Sequence, residues 1–257
     1  MHFCDRIIIY FLTREVFDLK RFMDSRTLII IMLLFASSIF SGRFTNPGDW
    51  LMSTLLMLPA VLIGLSLHEF GHAAVAYKLG DNTPYYQGRV TINPGAHIDP
   101  VGFVCLLLIG FGWGNPVQIN PGNFKKPRRD ELLVSLAGVV MNFIVAVLFA
   151  VLLRILVAVA PDFFYGDMGG IVMQMILNIV LMNIVLMVFN LIPVPPLDGF
   201  NVVTELFNLR RYNWWYTVYN NGFFILLILI LFNITDLVLS PGVLAVYNLI
   251  MDVLFAV

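Results

Sequence analysis

The sequence predicts an all-α polytopic membrane protein with about six transmembrane helices and a small membrane-associated β hairpin or re-entrant segment between the second and third. Three observations lead there. Hydrophobic residues make up 60% of the 257 and charged residues only 12%, with a mean hydropathy of +0.88, too apolar for a soluble domain of ordinary composition. Apolar runs long enough to cross a hydrocarbon core of ~30 Å recur along nearly the whole length. Thirteen of the fifteen Lys and Arg residues fall on one side of that succession of runs, the bias expected of cytoplasmic loops.

Residues 1–26 carry five basic and four acidic side chains, unlike the purely basic start of a cleaved signal peptide. They read as a retained cytoplasmic segment, either an amphipathic helix on the inner leaflet or a simple tail. The membrane domain then covers 27–257, with spans expected at Thr27–Gly42, Trp50–Leu79, Leu132–Ala160, Gly169 to about Ile192, Gly222–Ser240 and Val243–Val257. Only Arg43 and Arg154 fall on the outer side, so both termini are expected in the cytoplasm. Arg154 reads as a snorkelling side chain at the outer interface.

Between the second and third spans, Arg89–Asn93 and Pro116–Asn120 are short alternating runs closed by Asn-Pro turn chemistry, which predicts a pair of β strands. Val101–Phe111 is uncharged and too short to cross, as suits a re-entrant or interfacial loop. No basic stripe with interleaved aromatics is present, so nucleic acid is not an expected partner. Cys4 and Cys105 form neither a disulfide framework nor a Cys-x-x-Cys metal pair.

The chemistry is carried by His68-Glu69-Phe70-Gly71-His72, which lies inside the second span. Four residues of helix advance ~6 Å and turn slightly more than once, so both imidazoles project from one face and can share one Zn²⁺. Shuffling this composition would yield the pattern roughly once in a thousand chains. Ionisable groups within a span are costly and usually functional. A catalytic zinc takes three protein ligands and leaves one position open. The third is expected at Asp198, in the run Asn190-Leu191-Ile192-Pro193-Val194-Pro195-Pro196-Leu197-Asp198-Gly199, whose prolines forbid regular helix. Asp252 stays open as an alternative ligand on its expected inner side, and Asp236, expected near the outer end of its span, is disfavoured.

These two motifs and the six-span frame resemble the site-2 protease family of intramembrane metalloproteases, in its subgroup without PDZ or CBS domains, over most of residues 27–257. The resemblance implies that His68, His72 and Asp198 hold one zinc per chain, that Glu69 is the catalytic base, and that Asn190 belongs to the active site as an oxyanion donor. Gly138-Val139-Val140-Met141-Asn142 matches the family's Gly-x-x-x-Asn element, expected to serve close helix packing, with Asn142 also a candidate for substrate binding or gating. Asn93 and His97 lie in a stretch resembling the family's membrane-associated β segment. Either His97 approaches the metal or gates water, or it is a hydrogen-bonded loop histidine.

The expected function is zinc-dependent endopeptidase cleavage of single-span or other membrane proteins within or beside the bilayer, in the cell membrane and nearer its cytoplasmic face. A membrane zinc-binding protein, either a carrier or a non-cutting scaffold, is the competing reading. Transport needs ligands on both sides and alternating access, whereas this ligand set is confined to one half and includes a hydrolytic base.

Overall fold

The computed structural model describes residues 44–109 and 114–255, with a few separate positions between 29 and 40. The expected N-terminal segment and more than half of the first expected span lie outside the described residues. Helix α1 (Pro47–Lys78) starts at a proline, whose fixed φ suits the first helical position, and continues past Pro59. A short helix α2 (Pro100–Ile109) follows, then α3 (Pro127–Val159), α4 (Asp167–Asn190), α5 (Asp198–Phe207), α6 (Asn213–Asn220), α7 (Gly222–Leu231) and α8 (Asp236–Phe255).

Four helices, α1, α3, α4 and α8, are long and apolar enough to cross a bilayer, and the pair α6–α7, bent by 61°, makes five if it counts as one span. Exposed apolar residues such as Val140, Phe143, Ile144, Leu148, Leu152 and Ile155 line the outside of α3. Side chains of this kind belong against lipid. This is a membrane protein.

The six-span expectation is corrected at the C-terminal end. Residues 222–240 do not form one helix, because Asn233 takes a left-handed φ of 55° and the chain turns there. The next helix then runs straight through Pro241-Gly242, where a break between two spans was expected. Its direction is also reversed. A Cβ on Gly242 would stand 2.8 Å from Val188 Cγ1, near the end of α4. At the other end of α8, Arg154 Nε donates to Leu254 O at 3.1 Å. Helix α8 therefore runs alongside α3 and finishes at the end of the bundle remote from Asp198. Arg154 fastens that end.

The expected β hairpin is also corrected: no strand forms among the described residues, only a single antiparallel bridge between Ile98 and Gly114. Residues 116–120 form no regular secondary structure, and two of their amides turn to side-chain carboxylates rather than to a neighbouring strand. Val117 N donates to Glu69 Oε2 at 2.9 Å and Asn120 N to Asp81 Oδ2 at 2.7 Å. A cleft lined by Trp50, Met57, Val61, Leu106, Leu107 and Met182 separates α2 from α1 and α4, so the short helix lies beside the bundle, as a re-entrant element does.

Asp81, fully buried just beyond α1, is the anchor of this connection. Its carboxylate also accepts from Thr83 N, Thr83 Oγ1 and Asn123 Nδ2, at 2.6–3.0 Å. Burial alone would raise the Asp81 carboxyl, but the bonds from Thr83, Asn120 and Asn123 outweigh it and hold the group below the usual carboxylate range. A depressed folded-state pKa contributes stability that is present above the unfolded value, near pH ~4, and lost as pH falls through the folded one. Hydrogen exchange should therefore show residues 115–124 losing protection in the parent protein only in acid. In Asp81→Asn the loss should already be present at neutral pH. Equal protection in the two proteins at pH 7 would remove Asp81 as the anchor.

The core is the three-helix packing of α1, α3 and α4. Ala60, Val145 and Ile179 form one buried cluster across them, and Val139, Ala146, Ala150, Val180, Ile184 and Val188 another that Ile250 of α8 joins. Close approach of α1 to α3 depends on Gly71, where a Cβ would stand 2.9 Å from Ala137 O.

Candidate metal centre

One helical turn separates His68 from His72, and α1 presents both rings to α3, edge to face, with centroids 4.7 Å apart. Their Nε2 atoms are 3.1 Å apart, and Asp198 Oδ2 is 3.2 Å from each. Among the described residues this is the cluster of His, Cys, Asp and Glu whose donor atoms could hold a metal ion. By residue count along α1 it lies ~9–15 Å from the Lys78 end.

The rings are set by what their other nitrogens do. His72 Nδ1–H donates to Val134 O at 2.7 Å, and His68 Nδ1–H to Asn142 Oδ1 at 3.0 Å. Each bond takes the proton of a neutral imidazole, so each Nε2 turns a lone pair toward Asp198. Two lone pairs and a carboxylate oxygen at these distances repel unless a cation lies among them.

Three features show that these residues fit a metal ion. Donors around a tetrahedral zinc with bonds of ~2.0–2.1 Å stand about 3.3–3.4 Å apart, close to the spacing here. Asp198 Oδ2 is buried and has no hydrogen-bond partner among the described residues. At Gly138 a Cβ would stand 2.4 Å from His72 Nε2 and 2.6 Å from His68 Cε1, so only glycine leaves the imidazoles their places.

Asp198 arrives by a broken path. Helix α4 ends at Asn190, and the proline-rich turn bonds to itself through Val194 N to Ile192 O and Leu197 N to Val194 O. The chain then re-enters helix at Asp198 itself. Gly199 permits this, since a Cβ there would stand 2.3 Å from Leu191 O. Helix α5 is held from its far end: Arg128 Nη2 donates to Glu205 O at 2.7 Å, and Arg210 pairs with Glu205, at 2.9 Å, and with Glu131 at the start of α3.

The remaining sequence candidates divide. Glu69 is half-buried, and its Oε2 accepts from Val117 N. Asn190 Nδ2 donates to Leu186 O at 3.0 Å, within its own helix. Asn142 is fully buried against His68. Asn93 is exposed, its Oδ1 accepting from Gly95 N to cap a single turn of 3₁₀ helix. His97 is fully buried and donates from Nε2 to Thr91 O at 2.7 Å, outside the metal cluster. The expected order of the two spare aspartates is reversed by the direction of α8, with Asp236 toward the Val188 end of the bundle and Asp252 toward the Arg154 end. Neither joins the histidine pair. Sequence reasoning missed Val134 O and Asp81, which carry no motif and become visible only through contacts more than 35 residues distant.

In comparison with known proteins, the chain is 41% identical over 146 residues to the candidate zinc metalloprotease YwhC of Bacillus subtilis, covering 57% of this chain and 66% of that protein. That relative is a member of the site-2 protease family, to which this chain is similar. Two further members are the candidate zinc metalloproteases Rip2 of Mycolicibacterium smegmatis, 28% identical over 63% of this chain and 61% of that protein, and Rip2 of Mycobacterium tuberculosis, 28% identical over 62% and 60%. The chain thus spans just under two thirds of the length of these relatives. No family model matches the chain, and no solved structure does. By that likeness, the two histidines on one helix and the aspartate entering beneath the end of another form the expected His₂Asp donor set.

Proposed function

We propose that this chain is a zinc-dependent endopeptidase that hydrolyses peptide bonds in or beside the transmembrane segments of membrane proteins. The observation that carries the reading is the His68–His72–Asp198 triangle, its histidines buried and its aspartate half-buried, set among apolar helices with Glu69 one residue from a ligand. Its likeness to the zinc metalloprotease relatives supports the metal and the reaction class.

His68, His72 and Asp198 would hold the ion. Zinc in such a site supplies Lewis acidity, polarising a carbonyl and making water more acidic. Glu69 takes the proton of the attacking water and passes it to the leaving amine. Asn190 Nδ2 donates one N–H to Leu186 O, and its second N–H is the donor that would support the oxyanion. Apolar walls exclude bulk water, which strengthens every charge interaction inside.

A helical substrate hides its carbonyls, so it must unwind before attack. Residues 116–119, outside regular secondary structure, run past Glu69, held at one side by Asn115 N to His97 O at 2.7 Å and at the other by Asn120 N to Asp81. Unwound substrate would lie between that segment and the metal ligands, a reading that the contact of Val117 N with Glu69 supports. A carrier would need donors along a path through the bilayer, and the described residues offer one such cluster.

The test is cleavage of tagged single-span proteins co-reconstituted with the enzyme in liposomes. Mass spectrometry should find product ends in or beside the span, cleavage should stop on chelation, and zinc should restore it. Chelator-insensitive cleavage, or cuts confined to distant soluble loops, would overturn the reading.

A further inference from the structure

One layer of the core is polar for no reason that hydrolysis supplies. Ala60, Val145 and Ile179 pack together across α1, α3 and α4. One turn nearer the metal ligands on each helix stand Gly64, Asn142 and Asn183, because α3 runs opposite to the other two. Both asparagines are fully buried. Asn142 accepts from His68 through Oδ1, while its Nδ2 has no partner among the described residues. Asn183 donates from Nδ2 to Ile179 O at 2.8 Å, while its Oδ1 has none. Opposite them, Gly64 contributes no side chain, and a Cβ there would stand 3.6 and 3.7 Å from the Asn183 amide atoms.

The two orphaned atoms are complementary, one a donor and one an acceptor, at one height in an apolar core where an unmade hydrogen bond is costly. We propose that Asn142 and Asn183 are positioning residues for the metal site, joined by one enclosed water that accepts from Asn142 Nδ2 and donates to Asn183 Oδ1. The chain of donors then runs one way, from His68 Nδ1–H through Asn142, the water and Asn183 to Ile179 O. Bonds aligned in this manner polarise and reinforce one another, and a buried water needs at least two such partners.

The consequence falls on His68. A carboxamide can offer an imidazole either its oxygen or its NH₂ group. With the oxygen facing Nδ1, the ring carries its proton there and Nε2 is free for metal; with the NH₂ group facing it, the proton moves to Nε2 and the ligand is lost. Asn183 stabilises the first arrangement without touching the ring.

This inference rests on His68 being a metal ligand, and zinc affinity, measured by chelator competition on the purified full chain, tests both. Asn142→Leu should weaken zinc about 10- to 100-fold, Asn183→Leu about 3- to 10-fold, and Asn142→Asp, which keeps an acceptor for Nδ1–H, should restore affinity to within about 3-fold of the parent. In the metal-free protein, imidazole nitrogen NMR should show one His68 tautomer in the parent and a mixture in both leucine variants. If Asn142→Leu does not fold, Asn183→Leu carries the test, since it leaves the ligand and its partner in place. Parent-like affinity with an unmixed tautomer in the leucine variants would overturn the proposal. Retention of zinc by His68→Ala would instead overturn the metal site beneath it.

Discussion

Replacing Glu69 with Gln should leave zinc bound and abolish most hydrolysis. The ligand triangle is made by His68, His72 and Asp198 and does not include Glu69, so the metal has no reason to leave. Glutamine keeps the size of the side chain and can still accept from Val117 N through its amide oxygen, which preserves the local contact of residues 116–119. What it lacks is a basic oxygen to take a proton from water. General-base assistance is worth about 10²–10⁴-fold in rate, and turnover should fall by that factor while bound zinc stays at one per chain. The measurement is metal content by mass spectrometry beside cleavage of a tagged single-span protein. Parent-like turnover in Glu69→Gln would remove Glu69 as the base, and loss of zinc would mean that it is a ligand.

Gly138→Ala should have an effect of similar size by a different route, emptying the site rather than disarming it. The added methyl would stand 2.4 Å from His72 Nε2 and 2.6 and 2.8 Å from His68 Cε1 and Nδ1, distances no real Cβ shows. The rings cannot simply swing aside, because Val134 O and Asn142 Oδ1 hold their Nδ1 atoms. Zinc affinity should drop on the order of 100-fold or more, beyond what loss of a supporting hydrogen bond costs. Helix content should not fall with it, since alanine favours helix over glycine by about 1 kcal/mol. Circular dichroism and chelator competition on the same sample separate the two effects. A Gly138→Ala protein that binds zinc as tightly as the parent would show that α3 does not press on the imidazoles.

This glycine illustrates how the sequence reading fell short. Gly138-x-x-x-Asn142 was legible as a packing element, but its role in making room for His68 and His72 depends on the register of α3 against α1, which no local pattern encodes. The same limit explains the C-terminal helices. Ser240-Pro241-Gly242 carries the marks of a break, yet α8 passes through it, with Gly242 packed on Val188 of α4. The β-branched alternation near Arg89–Asn93 and Pro116–Asn120 suggested strands, but the amides of the second run find the carboxylates of Glu69 and Asp81 first.

By itself the sequence determined the membrane character, three of the long helices to within a few residues, and the candidate ligands His68 and His72. These follow from composition and from helical periodicity, which are local. Tertiary structure alone decided that Asp198, the expected third ligand, rather than Asp252 meets the two histidines, that Asn142 and Val134 set the two imidazole tautomers, and that α8 runs away from the site. Each of these is a contact between segments far apart in the chain, and its energy depends on how helices pack, a quantity that exists only once they have met.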